Sequence, residues 1–318
     1  MLAGGAGRVR DARRERLAPP LSRAPRAPVG SGADRPCAWP GNPVGHAPVL
    51  RAGEAAGTAL VDLTDRVTVF VSTVGAPTFA DCLAHLAAQD CRFTQRVIER
   101  VAPMHVAFQR MIDECRTPFY VQVDEDMLLE PHAVRTLHAR MAASPPRTAI
   151  VMADLYDAHL RRCLHGVRIY RHAVVRRYPF SGADSFEKEQ AARLEADGYV
   201  VDSTPSDHPS PPEAALGRHG TRWTPPLIYE RYATLERRRL AEPPNLRWFA
   251  PYGAEFLARF QADPTEENFF ALMGVVAGVL GSRQGPAAAK DFRTYDRLPG
   301  FAALRAFLDA FAAPPSEQ

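Results

Sequence analysis

Asp124-Glu-Asp126 is the stretch best suited to chemistry. Two carboxylates two residues apart, just past an apolar run, can hold one hard divalent cation. Mg²⁺ and Mn²⁺ prefer oxygen ligands and often share them with substrate phosphates. A solvated acidic turn ahead of a helix has the same letters, so the D-x-D alone does not decide. His219, in Leu216-Gly-Arg-His-Gly220, adds a candidate nitrogen donor. A neutral imidazole ligates metals well, and flanking glycines permit close approach to a phosphate. A turn histidine between turn-forming glycines is the plainer alternative. His208 lies in the Pro/Ser-rich stretch Ser206-Asp-His-Pro-Ser-Pro-Pro212 and ranks below His219.

The elements around these residues follow from periodicity. Val67–Thr73 is a β-branched run that predicts a buried strand. Gly75-Ala-Pro77 breaks it, and Thr78 with Asp81 makes a T-x-x-D capping pattern for the next helix. A second strand is expected over 95–101. Pro103 suits a helix start, and Met104, Ala107, Phe108, Met111, Ile112 and Cys115 then keep one apolar face. Phe119–Val123 is a third strand, running directly into Asp124. A helix after Pro131 and a fourth strand over Thr148–Ala153 follow. This alternation predicts an α/β fold with a mostly parallel sheet flanked by helices. Ligands of such sheets sit at the carboxyl ends of the strands. Ser72, Thr73, Glu99 and Asp124–Asp126 all stand there. Residues 155–180 read as a strand-rich excursion, 185–197 as a helix, and 199–202 as a short strand. Helices are expected over 227–240, 254–262, 266–280 and 301–311.

Composition bounds the function. The chain has 318 residues and a net charge of +3. Residues 1–60 carry nine Arg, no Lys and four acids, a balance of +5, with eight Pro and nine Gly. That composition predicts a disordered arm. The rest balances at −2, which argues against a nucleic-acid-binding domain. Five cysteines, Cys37, Cys82, Cys91, Cys115 and Cys163, make no C-x-x-C pair, so reduced thiols in a cytoplasmic setting are expected. No apolar run approaches the ~18 residues of a membrane helix, and no secretory leader is evident.

The stretch from Val67 to Asp126 resembles the nucleotide-binding half of family-2 glycosyltransferases of the GT-A fold. Ala87-Ala-Gln89 closes the first helix, Ala107-Phe-Gln109 takes the place of the family's A-R-N, and Gln109 stands fifteen residues before Asp124. A second block matches the family's E-D-x-[DE]-x-x-x-R-[LI]-x-x-x-G-[YF] element. Counting back from Gly198-Tyr199, Arg193-Leu194 and Glu189 fall in place and Glu187 lands on the catalytic Asp, while Phe186 replaces the preceding Glu. Glu189 and Arg193, at i and i+4, can form an ion pair. Glu99 stands where the family has a strand-end Asp near the nucleotide base.

The resemblance implies a nucleoside diphosphate sugar as donor and a saccharide or other hydroxyl compound as acceptor. It implies Mn²⁺ or Mg²⁺ on Asp124, Asp126 and His219, with Ser72, Thr73, Glu99, Gln109 and Asp124 around the nucleotide. Glu187 would be the general base of an inverting hexosyl transfer. The expected division is an arm (1–60), a GT-A-like domain (61–225) and a helical extension (226–318), with no integral membrane segment. Trp223, Tyr229 and Trp248 could stack on a sugar, although packing explains most such aromatics. The basic runs Glu236–Arg239, Arg161-Arg162 and Arg176-Arg177 could meet a diphosphate or form a solvated face.

Two rivals stay open. A nucleotidyltransferase uses a similar sheet and metal, but Val74-Gly-Ala-Pro77 has too few glycines and no Lys for its phosphate loop. A catalytically degenerate domain acting as a binding scaffold is the other, favoured by Phe186. A phosphatase with a D-x-D nucleophile is disfavoured by Met127-Leu128.

Overall fold

The computed structural model describes residues 60–182, 185–203, 211–220, 222–241, 252–281 and 306. Leu60 apart, the arm lies outside them, as do His208, Trp248 and the helix expected over 301–311. The described residues belong to one compact unit, 57–318.

The expected α/β architecture is present. A short strand β1 (Val61–Asp62) pairs in parallel with β3 (Cys91–Arg92). The main sheet is built from β2 (Val67–Thr73), β4 (Thr94–Glu99), β5 (Phe119–Asp124), β6 (Met127–Leu129), β7 (Thr148–Asp157), β8 (Arg162–Arg171), β9 (Val200–Asp202) and β10 (Gly217–His219). Its order is β4-β2-β5-β8-β7-β10-β6, with β9 paired to the start of β7. Strands β4, β2 and β5 are parallel, and β8 runs antiparallel between β5 and β7.

Side-chain alternation along the strands builds two cores. Val67, Val69, Val71, Val121, Val123, Val151 and Ile169 face one side, against Leu86 of α1 (Phe79–Ala87) and Val134 and Leu137 of α3 (Ala133–Ala143). Phe70, Tyr120, Ile150, Met152 and Tyr170 face the other. There they meet the whole apolar stripe of α2 (Met104–Glu114), Val174 and Val175 of α4 (His172–Val175), and Phe186 and Leu194 of α5 (Phe186–Ala196).

The strand-rich stretch expected over 155–180 is the end of β7 plus β8, a ten-residue strand in the middle of the sheet. Its residues, Arg-Cys-Leu-His-Gly-Val-Arg-Ile-Tyr-Arg, hide the strand because charged side chains interrupt the apolar run. The T-x-x-D cap does not form. Thr78 makes no side-chain cap and its hydroxyl is buried without a partner, while Asp81 pairs with Arg222 at 2.8 Å. The boundary at 225/226 is not a break in packing. Helices α6 (Pro225–Ala241), α7 (Tyr252–Ala262) and α8 (Glu266–Gly281) share a third core with Leu160 of the β7–β8 turn, through Ile228, Tyr232, Phe256 and Val275. Among the described residues no helix is long and apolar enough to cross a membrane.

Helices α6 and α8 meet through glycine. A Cβ on Gly274 would stand 2.4 Å from the backbone oxygen of Tyr229, and one on Gly278 would stand 2.6 Å from that of Ala233. Alanine normally gains about 1 kcal/mol over glycine inside a helix. Here a backbone atom blocks it, so Gly274→Ala is expected to destabilise by about 1–3 kcal/mol. Chemical denaturation checks this, and a stabilised variant would contradict the contact.

Half-buried histidines should make this core acid-sensitive. His159 bonds the Tyr232 hydroxyl at 2.7 Å, and burial, with smaller contributions from Arg259 and Arg231, lowers its pKa to about 4 from 6.5. His138 and His172 are also lowered, chiefly by burial. A depressed histidine holds fewer protons folded than unfolded between the two pKa values. Stability should therefore fall as pH drops from about 6.5 towards 4, by up to about 1.4 kcal/mol per unit and per group. Urea unfolding at pH 7 and pH 5 measures the slope, and His159→Gln should flatten it. Equal stabilities in the wild type would rule the linkage out.

Candidate active site

The carboxyl ends of β2 and β5 and the helix α6 enclose a cavity of about 250 Å³. Its walls differ. Val74, Pro77, Ile98, Val101, Met104 and Leu227 make an apolar side, and Asp124, Asp126, His219, Arg222 and Arg231 make a charged one.

The acidic turn is held residue by residue. Asp124 ends β5 beside Ser72 of β2, whose hydroxyl donates to it at 2.7 Å. Glu125 points to the loop after β2, where Thr73 Oγ1 and three backbone N–H groups donate to it. Asp126 faces β10, which pairs with both β6 and β7 and so brings His219 across from Met127. His219 Nε2 stands 3.3 Å from Asp126 Oδ2.

Behind His219 is a carboxylate the sequence reading missed. Asp157, at the end of β7, is fully buried. It accepts from the backbone N–H groups of His159 (3.1 Å) and Leu160 (2.7 Å), from His219 Nδ1 (3.1 Å) and from Arg231 (3.0 Å). Burial alone would push the Asp157 carboxyl up. Arg231 and the His219 and Leu160 hydrogen bonds outweigh that and hold it well below the usual carboxylate range. An ionised carboxylate only accepts, so His219 carries its hydrogen on Nδ1. In the neutral ring the Nε2 lone pair then points at Asp126. A carboxylate that orients a histidine in this way is the usual backing of a metal-ligating imidazole. Arg231 completes the row, its guanidinium 3.7 Å above the Trp223 ring. Trp223 also packs edge-on against His219, with centroids 5.6 Å apart.

The donor set fits a divalent cation in type, because carboxylate oxygen suits Mn²⁺ and Mg²⁺ and a neutral imidazole adds the nitrogen donor that transition metals accept. Of the expected ligands, the structure brings Asp126 and His219 together. Asp124 lines the same cavity but its Oδ1 is engaged by Ser72. Among the described residues no group of three or more His, Cys, Asp or Glu side chains is already gathered for a metal ion. The field of the turn is felt nearby. Burial, then Asp126, Asp124 and Glu125, push the Cys82 thiol up to about 12, so Cys82 is inert as a nucleophile.

The other candidates scatter. Ser72 and Thr73 line the cavity. Glu99 is exposed at the end of β4, outside the lining, where Ile98 and Val101 stand instead. Gln109 donates to Asp113 at 2.8 Å and accepts from the Phe180 N–H at 2.9 Å, so it ties α2 to the segment before α5. Met104 and Ala107 are the α2 residues that reach the cavity. Glu187 is outside it too, ion-paired to Arg168 of β8. The Glu189–Arg193 pair forms at 3.6 Å. The glycines beside His219 serve packing. A Cβ on Gly217 would strike the Leu128 carbonyl at 2.5 Å, and Gly220, at φ +69°, lies under Trp223. Glu236 is buried and pairs with Arg239 at 2.5 Å. The basic run on α6 is outside the cavity lining, whose guanidinium groups come from Arg222 and Arg231.

Comparison with known proteins gives three structures of interest. A mannosyltransferase from Pyrobaculum calidifontis, in complex with GDP-Man and Mn²⁺, is similar with a TM-score of 0.41 and 14% identity, over 78% of this chain and 81% of that one. S. aureus TarS 1–349 in complex with UDP follows at 0.40 and 12%, over 62% and 72%. Glucosyl-3-phosphoglycerate synthase from Mycobacterium tuberculosis, with Mn²⁺, UDP-glucose and glycerol 3-phosphate, reaches 0.37 and 13%, over 55% and 80%. No protein-family model and no curated protein sequence matches the chain.

Two signals would have found the missed residues. Asp157 ends a strand on the same sheet edge as Asp124, but the strand was expected to stop four residues earlier. Arg231 lies one helical turn past Leu227 on the face that packs inward, among too many arginines to stand out.

Proposed function

We propose that the protein is a glycosyltransferase that moves a hexosyl group from a nucleoside diphosphate sugar to an acceptor hydroxyl, with Mn²⁺ or Mg²⁺ as cofactor. The observation that carries this reading is the row Asp126–His219–Asp157–Arg231, set at the strand ends beside an apolar wall. Asp126 and His219 Nε2 would hold the cation, and Asp124 would join them by giving up its Ser72 bond. When bound, a divalent cation neutralises charge that develops on a leaving diphosphate. Asp157 keeps the His219 hydrogen on Nδ1 and so keeps Nε2 available. Arg231, fixed between Asp157 and Trp223, offers a guanidinium edge to phosphate oxygens. The apolar wall suits the face of a nucleobase and ribose. A base opposite the leaving group would make the transfer inverting. For Glu187 to serve, its bond to Arg168 has to break.

A thermal-shift screen of UDP, GDP, CDP and dTDP, each with and without Mn²⁺, tests the class and the donor base together. At least one diphosphate should stabilise the protein in a Mn²⁺-dependent way, and its sugar conjugate should be turned over to the free diphosphate. Release of pyrophosphate from a nucleoside triphosphate and a sugar phosphate would instead establish the nucleotidyltransferase rival. Binding without any turnover would establish the scaffold.

A further inference from the structure

The loop between β2 and α1 aims its donors at one carboxylate. Glu125 Oε1 accepts from Val74 N–H at 3.1 Å, and Oε2 accepts from Gly75 N–H at 3.2 Å and Ala76 N–H at 2.8 Å. The Thr73 hydroxyl donates to the same Oε2. Successive backbone N–H groups that converge in this way form a concave site for an anion. Thr73, Val74, Ala76 and Glu125 all line the cavity, so this site opens on the space where a phosphorylated ligand would lie. The anion in it belongs to the chain itself. It comes from the middle of Asp124-Glu-Asp126, whose outer members are engaged elsewhere, by Ser72 and His219.

We propose that Glu125 is a built-in anion that keeps the phosphate-accepting amides of the β2–α1 loop filled, and is thereby a specificity-determining residue. A ligand's phosphates are kept off this loop and left to the side of Asp126, His219 and Arg231. The consequence for ligand choice rests on the nucleoside diphosphate reading above. Ligands that must place a phosphate on the loop after the first strand are turned away. A neutral residue at 125 would open that second phosphate position.

The test needs no nucleotide, sugar or metal, so the glycosyltransferase reading and this proposal can fail separately. ¹⁵N-labelled full-length protein is titrated with inorganic pyrophosphate in EDTA while the amide signals of Val74, Gly75 and Ala76 are followed. In the wild type they should stay in place. In Glu125→Ala the same three should shift and saturate, with pyrophosphate affinity at that loop raised by about tenfold or more, as recovery of several charge-assisted bonds implies. Wild-type amides that move with pyrophosphate would overturn the proposal. So would a folded Glu125→Ala whose three amides ignore it. Should Glu125→Ala not fold, the wild-type titration decides alone, with unmoved amides upholding a filled loop and moving amides refuting it.

Discussion

Asp126→Ala is expected to bind its nucleoside diphosphate on the order of 100-fold more weakly in Mn²⁺, and with unchanged affinity in EDTA. The scale follows from what losing a residue that merely orients a ligand does to a metal site, typically about 10–100-fold, and Asp126 would be a direct ligand. Among the described residues its close side-chain partner is His219, at 3.3 Å. The melting temperature of the metal-free protein should therefore move little, since removal ends one contact and relieves repulsion from Asp124 and Glu125. His219→Ala should show the same Mn²⁺-specific loss, with a smaller drop because the carboxylates remain. Calorimetric titration with and without Mn²⁺ separates the cases. An Asp126→Ala protein that binds normally in Mn²⁺ would remove Asp126 from the ligands. One that binds equally poorly in EDTA would show that it acts on the nucleotide and not through a cation.

The sheet and the acidic turn were legible because each is local. A β-branched run such as Val67–Thr73 declares a strand without its neighbours, and a D-x-D at the end of one declares its place on the sheet edge. The α2 stripe is legible for the same reason, and all six of its apolar residues are buried. What stayed hidden is what only pairing creates. Strand β8 is unreadable until it lies between β5 and β7, because Arg168 there draws its counter-charge from a partner 19 residues away. Asp157 gains its meaning from His219 on β10 and Arg231 on α6, 62 and 74 residues away. His219, a candidate in the sequence, lines the cavity. The resemblance carried Gln109 and Glu187 to positions outside the cavity, where Gln109 ties α2 to the segment before α5 and Glu187 pairs with Arg168 of β8.

Glu187 decides how far that resemblance extends. If it is the general base, Glu187→Gln should keep the fold and lose turnover. The geometry points to a different primary effect. Glu187 and Arg168 are 21% and 13% exposed, so theirs is a half-buried pair and not a surface one. Burial opposes the Arg168 charge, yet Glu187 and Tyr170 overcome it and raise its pKa further. Burial pushes the Tyr170 phenol up to about 12, so it stays a neutral donor, to Gln122 at 2.9 Å, and cannot replace Glu187 as counter-charge. Removing one partner of a fully buried pair strands the other at about 3–5 kcal/mol, and this half-buried pair should cost somewhat less, about 2–3 kcal/mol. Glu187→Ala should therefore lower the melting temperature on the order of 10 °C. Affinity for a nucleoside diphosphate in Mn²⁺ should be unchanged at temperatures where the variant is folded, because Glu187 does not line that cavity. The double variant Arg168→Met, Glu187→Leu should recover most of the loss, since it removes both charges and fills the same space. If that rescued protein also turns over donor sugar, Glu187 is a structural anchor and the base lies elsewhere. A rescued fold that binds nucleotide normally and has lost transfer by ~10²–10⁴-fold returns Glu187 to the role of base.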